Sequence, residues 1–164
     1  MRIAVDVGYG FTKSVAETGR RAHFPSAVAP ARGTGELAAA LGGAAPRHRV
    51  EIEPPRGHDL PIAGAWLVGD AALIAGASRT WDSSASQRRD YDVLTLAASA
   101  LAGADGEEVE LAAGLPLQVW LNKAERRALR ERLAGLTAWV SVDGAGPAFV
   151  RVAEARVWPQ ALGA

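Results

Sequence analysis

Residues 2–13 constrain this chain more than any other stretch. Arg2-Ile3-Ala4-Val5-Asp6-Val7 is short, apolar and rich in β-branched side chains. That is the pattern of a β-strand with one acid near its end. It runs straight into Gly8-Tyr9-Gly10-Phe11-Thr12-Lys13. The resulting D-x-G-x-G-x-T-K pattern sits at a strand-to-turn junction, and phosphate chemistry accounts for each residue type. Glycine allows close backbone approach to a bulky anion and a positive φ. Successive N–H groups in such a turn form an anion-binding nest. Thr12 offers a hydroxyl and Lys13 a point charge for a phosphate oxygen. Asp6 repels phosphate, and its natural task is to hold a hydrated Mg²⁺, which takes one or two carboxylates and keeps several waters. The competing reading is a tight β-hairpin whose turn is merely glycine-rich. The spacing matches neither G-x-x-x-x-G-K nor G-x-G-x-x-G, and the segment that follows has a strand pattern, not a helical one.

The chain has 164 residues, enough for one domain with a proper core. Lys+Arg and Asp+Glu both number 18, so the net charge is zero, which argues against a direct nucleic-acid footprint. With no cysteine there are no disulfides or thiolate metal sites. The composition fits a cytoplasmic protein. No signal peptide is visible, and no apolar run is long enough to span a bilayer. His23, His48 and His58 are far apart and lack metal-ligand spacing, so solvated loop histidines are expected.

Residues 2–7, roughly 12–17 and roughly 21–25 predict three strands joined by turns at Gly8–Gly10 and Thr18-Gly19, an antiparallel meander. Prolines and glycines crowd residues 26–65, which read as an insertion on the rim of the main sheet. Within it, Glu36–Leu41 predicts a helical turn and Arg49–Glu53 a short strand. Ala65–Asp70 predicts a strand feeding a short helix near 70–76, followed by a polar loop through about Arg89. Asp90–Ala102 carries Val93, Leu94, Ala97, Ala98 and Leu101 at helical spacing, with Asp90 or Asp92 as N-cap and Gly103 as the stop. Val109–Leu115 predicts a strand ending in Gly114-Leu115-Pro116.

Asn122 is expected to cap the next helix, and Glu125 to complete a capping-box-like arrangement. Ala124, Ala128, Leu129 and Leu133 form its apolar stripe, and Gly135 is placed at C′. Arg126, Arg127, Arg130 and Arg132 interleave with Glu125 and Glu131, which predicts a solvated face and not a nucleic-acid surface. Leu136–Val142 and Ala148–Val157 predict two strands around the turn Asp143-Gly144-Ala145-Gly146-Pro147. Most of the five tryptophans are expected in the core. The order implies a mixed α/β sheet with flanking helices.

The ordered set of motifs resembles the N-terminal domain of the actin-like ATPases, whose fold is ribonuclease H-like. It is most similar to the prokaryotic group that includes the ParM/StbA-type plasmid-segregation proteins. Asp6–Lys13 resembles the first phosphate motif, often written with Asn where this chain has Phe11. Leu67-Val68-Gly69-Asp70 resembles the V-G-[ED] after the subdomain II-like insertion. Gly114-Leu115-Pro116 with its charged helix resembles the G-L-P segment. Val157–Ala164 resembles the first connecting segment, with its Pro-Gln or Pro-Glu pair.

The resemblance implies ATP and Mg²⁺ as cofactors. Gly8, Tyr9, Gly10 and Thr12 would contact the β- and γ-phosphates, Lys13 a phosphate oxygen, and Asp6 the Mg²⁺ through water. Gln160 would orient the attacking water, with Asp6 and Gln160 as the catalytic pair. It further implies self-association into filaments and an adaptor bound to DNA, with no direct nucleic-acid or membrane contact. Residues 1–164 would form a single domain with about 26–65 inserted. The family's second phosphate hairpin is missing, so the chain is either one domain of a longer protein, the favoured reading, or a natural half. Hydrolysis is expected only of the two-domain protein. The alternatives are a domain of a sugar-kinase or chaperone-type member of the superfamily, and a binding scaffold without turnover. ATP against GTP stays open.

Overall fold

The computed structural model describes residues 1–31, 48–77 and 85–160. One nine-stranded sheet organises them: β1 (Arg2–Val7), β2 (Phe11–Ala16), β3 (Arg21–Pro25), β4 (Val28–Pro30), β5 (Arg49–Glu53), β6 (Gly64–Val68), β7 (Glu108–Leu115), β8 (Thr137–Val142) and β9 (Ala148–Pro159). Among the described residues four helices accompany it: α1 (Asp70–Ile74), α2 (Ala85–Leu101), α3 (Leu117–Leu121) and α4 (Lys123–Ala134). The strand order is β3-β2-β1-β7-β9-β8-β5-β6-β4. The expected meander is present, with β1 antiparallel to β2 and β2 to β3. β1, β7 and β9 run parallel at the centre. Antiparallel β8, β5, β6 and β4 complete the far end.

Alternation decides which face each strand buries. Ile3, Val5 and Val7 of β1 are buried, as are Val109, Leu111, Ala113 and Leu115 of β7. The long helix α2 lies on this face, packing on β1, β2, β8 and β9. Its Ala97 and Ala98 are fully buried, and small side chains let the helix come close to the strands. Ser14 exploits that approach by donating its hydroxyl to the Ala98 carbonyl at 2.9 Å. Leu129 and Leu133 anchor α4, which packs on β9. The opposite face is open: Val15 is 40% and Trp158 60% exposed.

Several local expectations change. α2 begins at Ala85, so Asp90 and Asp92 lie inside the helix and do not cap it. Asp92 is instead buried against Arg132, which is therefore not part of a solvated arginine face. Ala124 and Ala128 are exposed, so the α4 stripe reduces to Leu129 and Leu133. Gly135 caps α4 with φ −90°, in the right-handed region, so it is not a left-handed C′ glycine. Asn122 does cap α4, accepting from the N–H groups of Ala124 and Glu125 at 3.1 and 3.3 Å. Glu125 bonds the Asn122 side-chain amide, so the reciprocal half of the box bypasses the backbone. Trp66 is buried and Trp120 half-buried, but Trp139 and Trp158 are exposed.

The segment 26–65 supplies β4 and β5 at the end of the sheet remote from β3. The expected helical turn at Glu36–Leu41, Trp81 and residues 161–164 lie outside the described residues. No described helix is long and apolar enough to cross a membrane.

Candidate functional site

The carboxyl ends of the parallel strands β1, β7 and β9 meet at one edge of the open face. In open α/β sheets such ends are where ligands bind. Asp6 stands near the end of β1 and is directly opposite Lys13 across the β1–β2 hairpin. Opposed residues share a face of the sheet, so one carboxylate and one ammonium share the open face here. Gln160 follows β9 and donates its amide Nε2 to Asp6 Oδ1 at 2.7 Å, with a longer contact of 3.5 Å to the Val7 carbonyl. Asp6, Lys13, Arg21, His23, Trp158 and Gln160 line a groove of about 700 Å³ over this face.

The hairpin loop suits an anion. The Gly8 N–H closes the turn onto the Phe11 carbonyl at 3.1 Å, and the Gly10 carbonyl accepts from the Ser26 N–H at 3.1 Å. Among the described residues no backbone carbonyl accepts from the N–H of Tyr9 or Gly10. Among the described residues the backbone thus leaves these two adjacent donors unengaged, and Tyr9 is 63% exposed. The glycines act differently from the sequence expectation, because neither Gly8 nor Gly10 has a positive φ. A Cβ at Gly8 would sit 3.1 Å from the Phe11 carbonyl oxygen, a tight contact, so the turn favours glycine there. Around Gly10 there is open space, which is what close approach by a bulky group needs.

Thr12 sits elsewhere. It is fully buried and opposite Val7, on the α2 side of the sheet, and its Oγ1 pairs with Ser26 Oγ at 2.9 Å. Its hydroxyl faces the core, away from Asp6 and Lys13. The alternation of β2 already implies this, since Lys13 and Thr12 are neighbours and must face opposite ways.

Three further residues support the site and carry weak sequence signals. Gly114 lies under the Asp6–Gln160 pair: a Cβ there would come within 2.9 Å of Gln160 Cγ and 3.0 Å of Asp6 Oδ1. Tyr91, on α2, donates its hydroxyl to the Gly114 carbonyl at 3.3 Å. Burial pushes the Tyr91 phenol well above its ordinary range, Arg132 opposes the shift and Asp6 adds to it, so the phenol remains a donor. Ser26 holds both Thr12 and the loop carbonyl of Gly10.

Asp6 presents a single carboxylate, with one oxygen engaged by Gln160. Among the described residues no cluster of three or more His, Cys, Asp or Glu could cage a bare metal ion. One carboxylate beside open solvent fits a cation that retains its water, as Mg²⁺ does. The paired loop donors and Lys13 fit phosphate oxygens.

Comparison with known proteins bears on the fold. No curated protein sequence matches the chain significantly. Similar solved structures include a ParM filament from Clostridium botulinum, at 18% identity and TM-score 0.69, covering 97% of this chain and 47% of that one. The apo psk41 ParM protein gives 16% identity and TM-score 0.69, covering 99% and 50%. The archaeal actin homologue Ta0583, in complex with ADP, gives 18% identity and TM-score 0.63, covering 99% and 45%. The chain thus spans half or less of the length of these structures, and the likeness is one of fold. Residues 4–163 match the family described as actin like proteins N terminal domain. By that match, across nearly its whole length, the chain belongs to the actin-like proteins, as an N-terminal domain of that family.

Proposed function

We propose that this chain is the phosphate-binding half of an actin-like ATPase that assembles into filaments. The observation that carries the reading is the convergence of Asp6, Lys13 and Gln160 at the carboxyl ends of β1, β7 and β9, with the Asp6–Gln160 bond at 2.7 Å. The Tyr9 and Gly10 N–H groups and the Lys13 ammonium would hold the β- and γ-phosphates of ATP. Asp6 would hold Mg²⁺ through water, and the bound ion would neutralise phosphate charge. Gln160 both donates and accepts, so it can orient a water near γ-phosphate without adding charge. Phosphoryl transfer depends mostly on such positioning and electrostatics. Thr12 acts behind the site by fixing Ser26 and the loop.

The matched structures include a ParM filament and an ADP complex, each describing that relative. They support, for this chain, head-to-tail assembly of the non-closing kind and a nucleotide as ligand. A DNA-bound adaptor and a cytoplasmic role in plasmid or DNA segregation extend the same reading.

Calorimetric titration of Mg-ATP tests it. Binding to the chain, abolished in Asp6→Ala, is the expected result. Binding indifferent to Asp6→Ala, or none by a well-folded chain, would overturn the reading for the chain as it stands. Nucleotide-dependent pelleting tests assembly separately.

A further inference from the structure

We propose that Gly114 is a positioning residue: its bare Cα, held from behind by the Tyr91 hydroxyl, is the floor that lets the Gln160 amide reach Asp6. The functional meaning rests on the reading above, but the geometry stands without it. Gly114 has no positive φ, so its backbone does not call for glycine. The turn does not call for it either, because Gly114 lies within β7, paired with Trp158 of β9. What calls for it is space. A Cβ would lie 2.9 Å from Gln160 Cγ, closer than real Cβ atoms come, and 3.0 Å from Asp6 Oδ1, a tight contact.

Asp6 lies on β1 and Gln160 just past the end of β9, 154 residues apart. β7 lies between β1 and β9. Any side chain on β7 at this register stands between the two partners and separates them. On the other side of the strand, the Tyr91 hydroxyl takes the Gly114 carbonyl at 3.3 Å. Tyr91 is buried in the main core, so α2 reports to the height of Gly114 through a rigid ring. The arrangement links the packing of α2 to the distance between two polar groups on the far face of the sheet.

Two measurements on the whole chain test this without nucleotide. The Gln160 side-chain amide resonances, assigned by their loss in Gln160→Ala, should move toward free glutamine in Gly114→Ala and move less far in Tyr91→Phe. Resonances unmoved in either variant would overturn the proposal. In denaturant unfolding, Gly114→Ala should shift the unfolding equilibrium roughly tenfold more in the wild-type background than in Gln160→Ala, because contacting residues couple. Equal shifts would overturn it. If Gly114→Ala does not fold, the double variant decides: regained folding with Gln160→Ala supports the proposal and continued failure overturns it. A chain that shows the coupling but ignores Mg-ATP keeps this proposal and refutes the nucleotide reading.

Discussion

Arg132 of α4, itself half-buried, donates at 3.0 Å to Asp92 of α2, which is 8% exposed. The same guanidinium donates to the Arg88 carbonyl at 2.8 Å and lies 5.9 Å from the Tyr91 ring centroid. One side chain therefore ties α4 to the stretch of α2 that backs the site. Asp92 Oδ1 is buried without a hydrogen-bond partner among the described residues.

This pair gives a pH prediction with an unusual sign. Burial raises the Asp92 acid to about 6 from 3.8, against the opposing pull of Arg132. Between those values the folded chain holds a proton that the unfolded chain has lost. Stability from this group is therefore greatest below pH 3.8 and declines as pH rises to about 6, levelling beyond. The total change is at most about 3 kcal/mol. Urea unfolding across this range should show Asp92→Asn gaining on the wild type as pH rises. Parallel pH curves for the two proteins would refute the assignment.

Thr12 and Lys13 are adjacent but face opposite ways, so their variants should fail differently. Thr12→Val strands the half-buried Ser26 hydroxyl and should cost ~1–2 kcal/mol of stability with little change in Mg-ATP affinity. Lys13→Met should leave stability nearly unchanged and weaken Mg-ATP binding roughly tenfold or more, the worth of a charge-assisted hydrogen bond. Paired melting and titration experiments decide this. A Thr12→Val chain that melts normally but loses nucleotide would place its hydroxyl in the site.

Gly69 and Gly10 form a second contrast. Gly69 has φ 68° and ψ −136°, and a Cβ there would lie 3.3 Å from Phe24 Cβ. Gly69→Ala should therefore cost about 1–3 kcal/mol. Gly10 has ordinary φ and open space, so Gly10→Ala should melt like the wild type and lose affinity only for Mg-ATP. A large drop in melting temperature for Gly10→Ala would count against its role as an approach point for ligand.

Legibility tracked the range of the forces involved. β1 and β2 were readable because period-two burial shows directly in Ile3, Val5 and Val7. The α4 cap was readable because Asn122 bonds to N–H groups only two and three residues away. The start of α2 was misread because Asp90 and Asp92 look like caps when no partner is in view. The partner of Asp92, Arg132, lies 40 residues on and comes close only when α4 packs. Gly135 was misread because the same residue serves right- and left-handed helix ends, and only the backbone path chooses.

The candidate site divides the same way. Asp6, Gly8, Gly10 and Lys13 were visible as one contiguous motif, since a hairpin brings its own residues together by local turn geometry alone. Their side-chain facing was implicit in alternation, which puts Lys13 on the open face and Thr12 on the α2 side. The role of Gly114 was hidden in the sequence. Its need for a missing side chain arises from Asp6 on one neighbouring strand and Gln160 beyond the other, which meet only after β1, β7 and β9 pair in register. Local chemistry thus determined the strands, the loop and the cap. Tertiary pairing decided which polar groups meet, because that depends on register between segments that share no local contact.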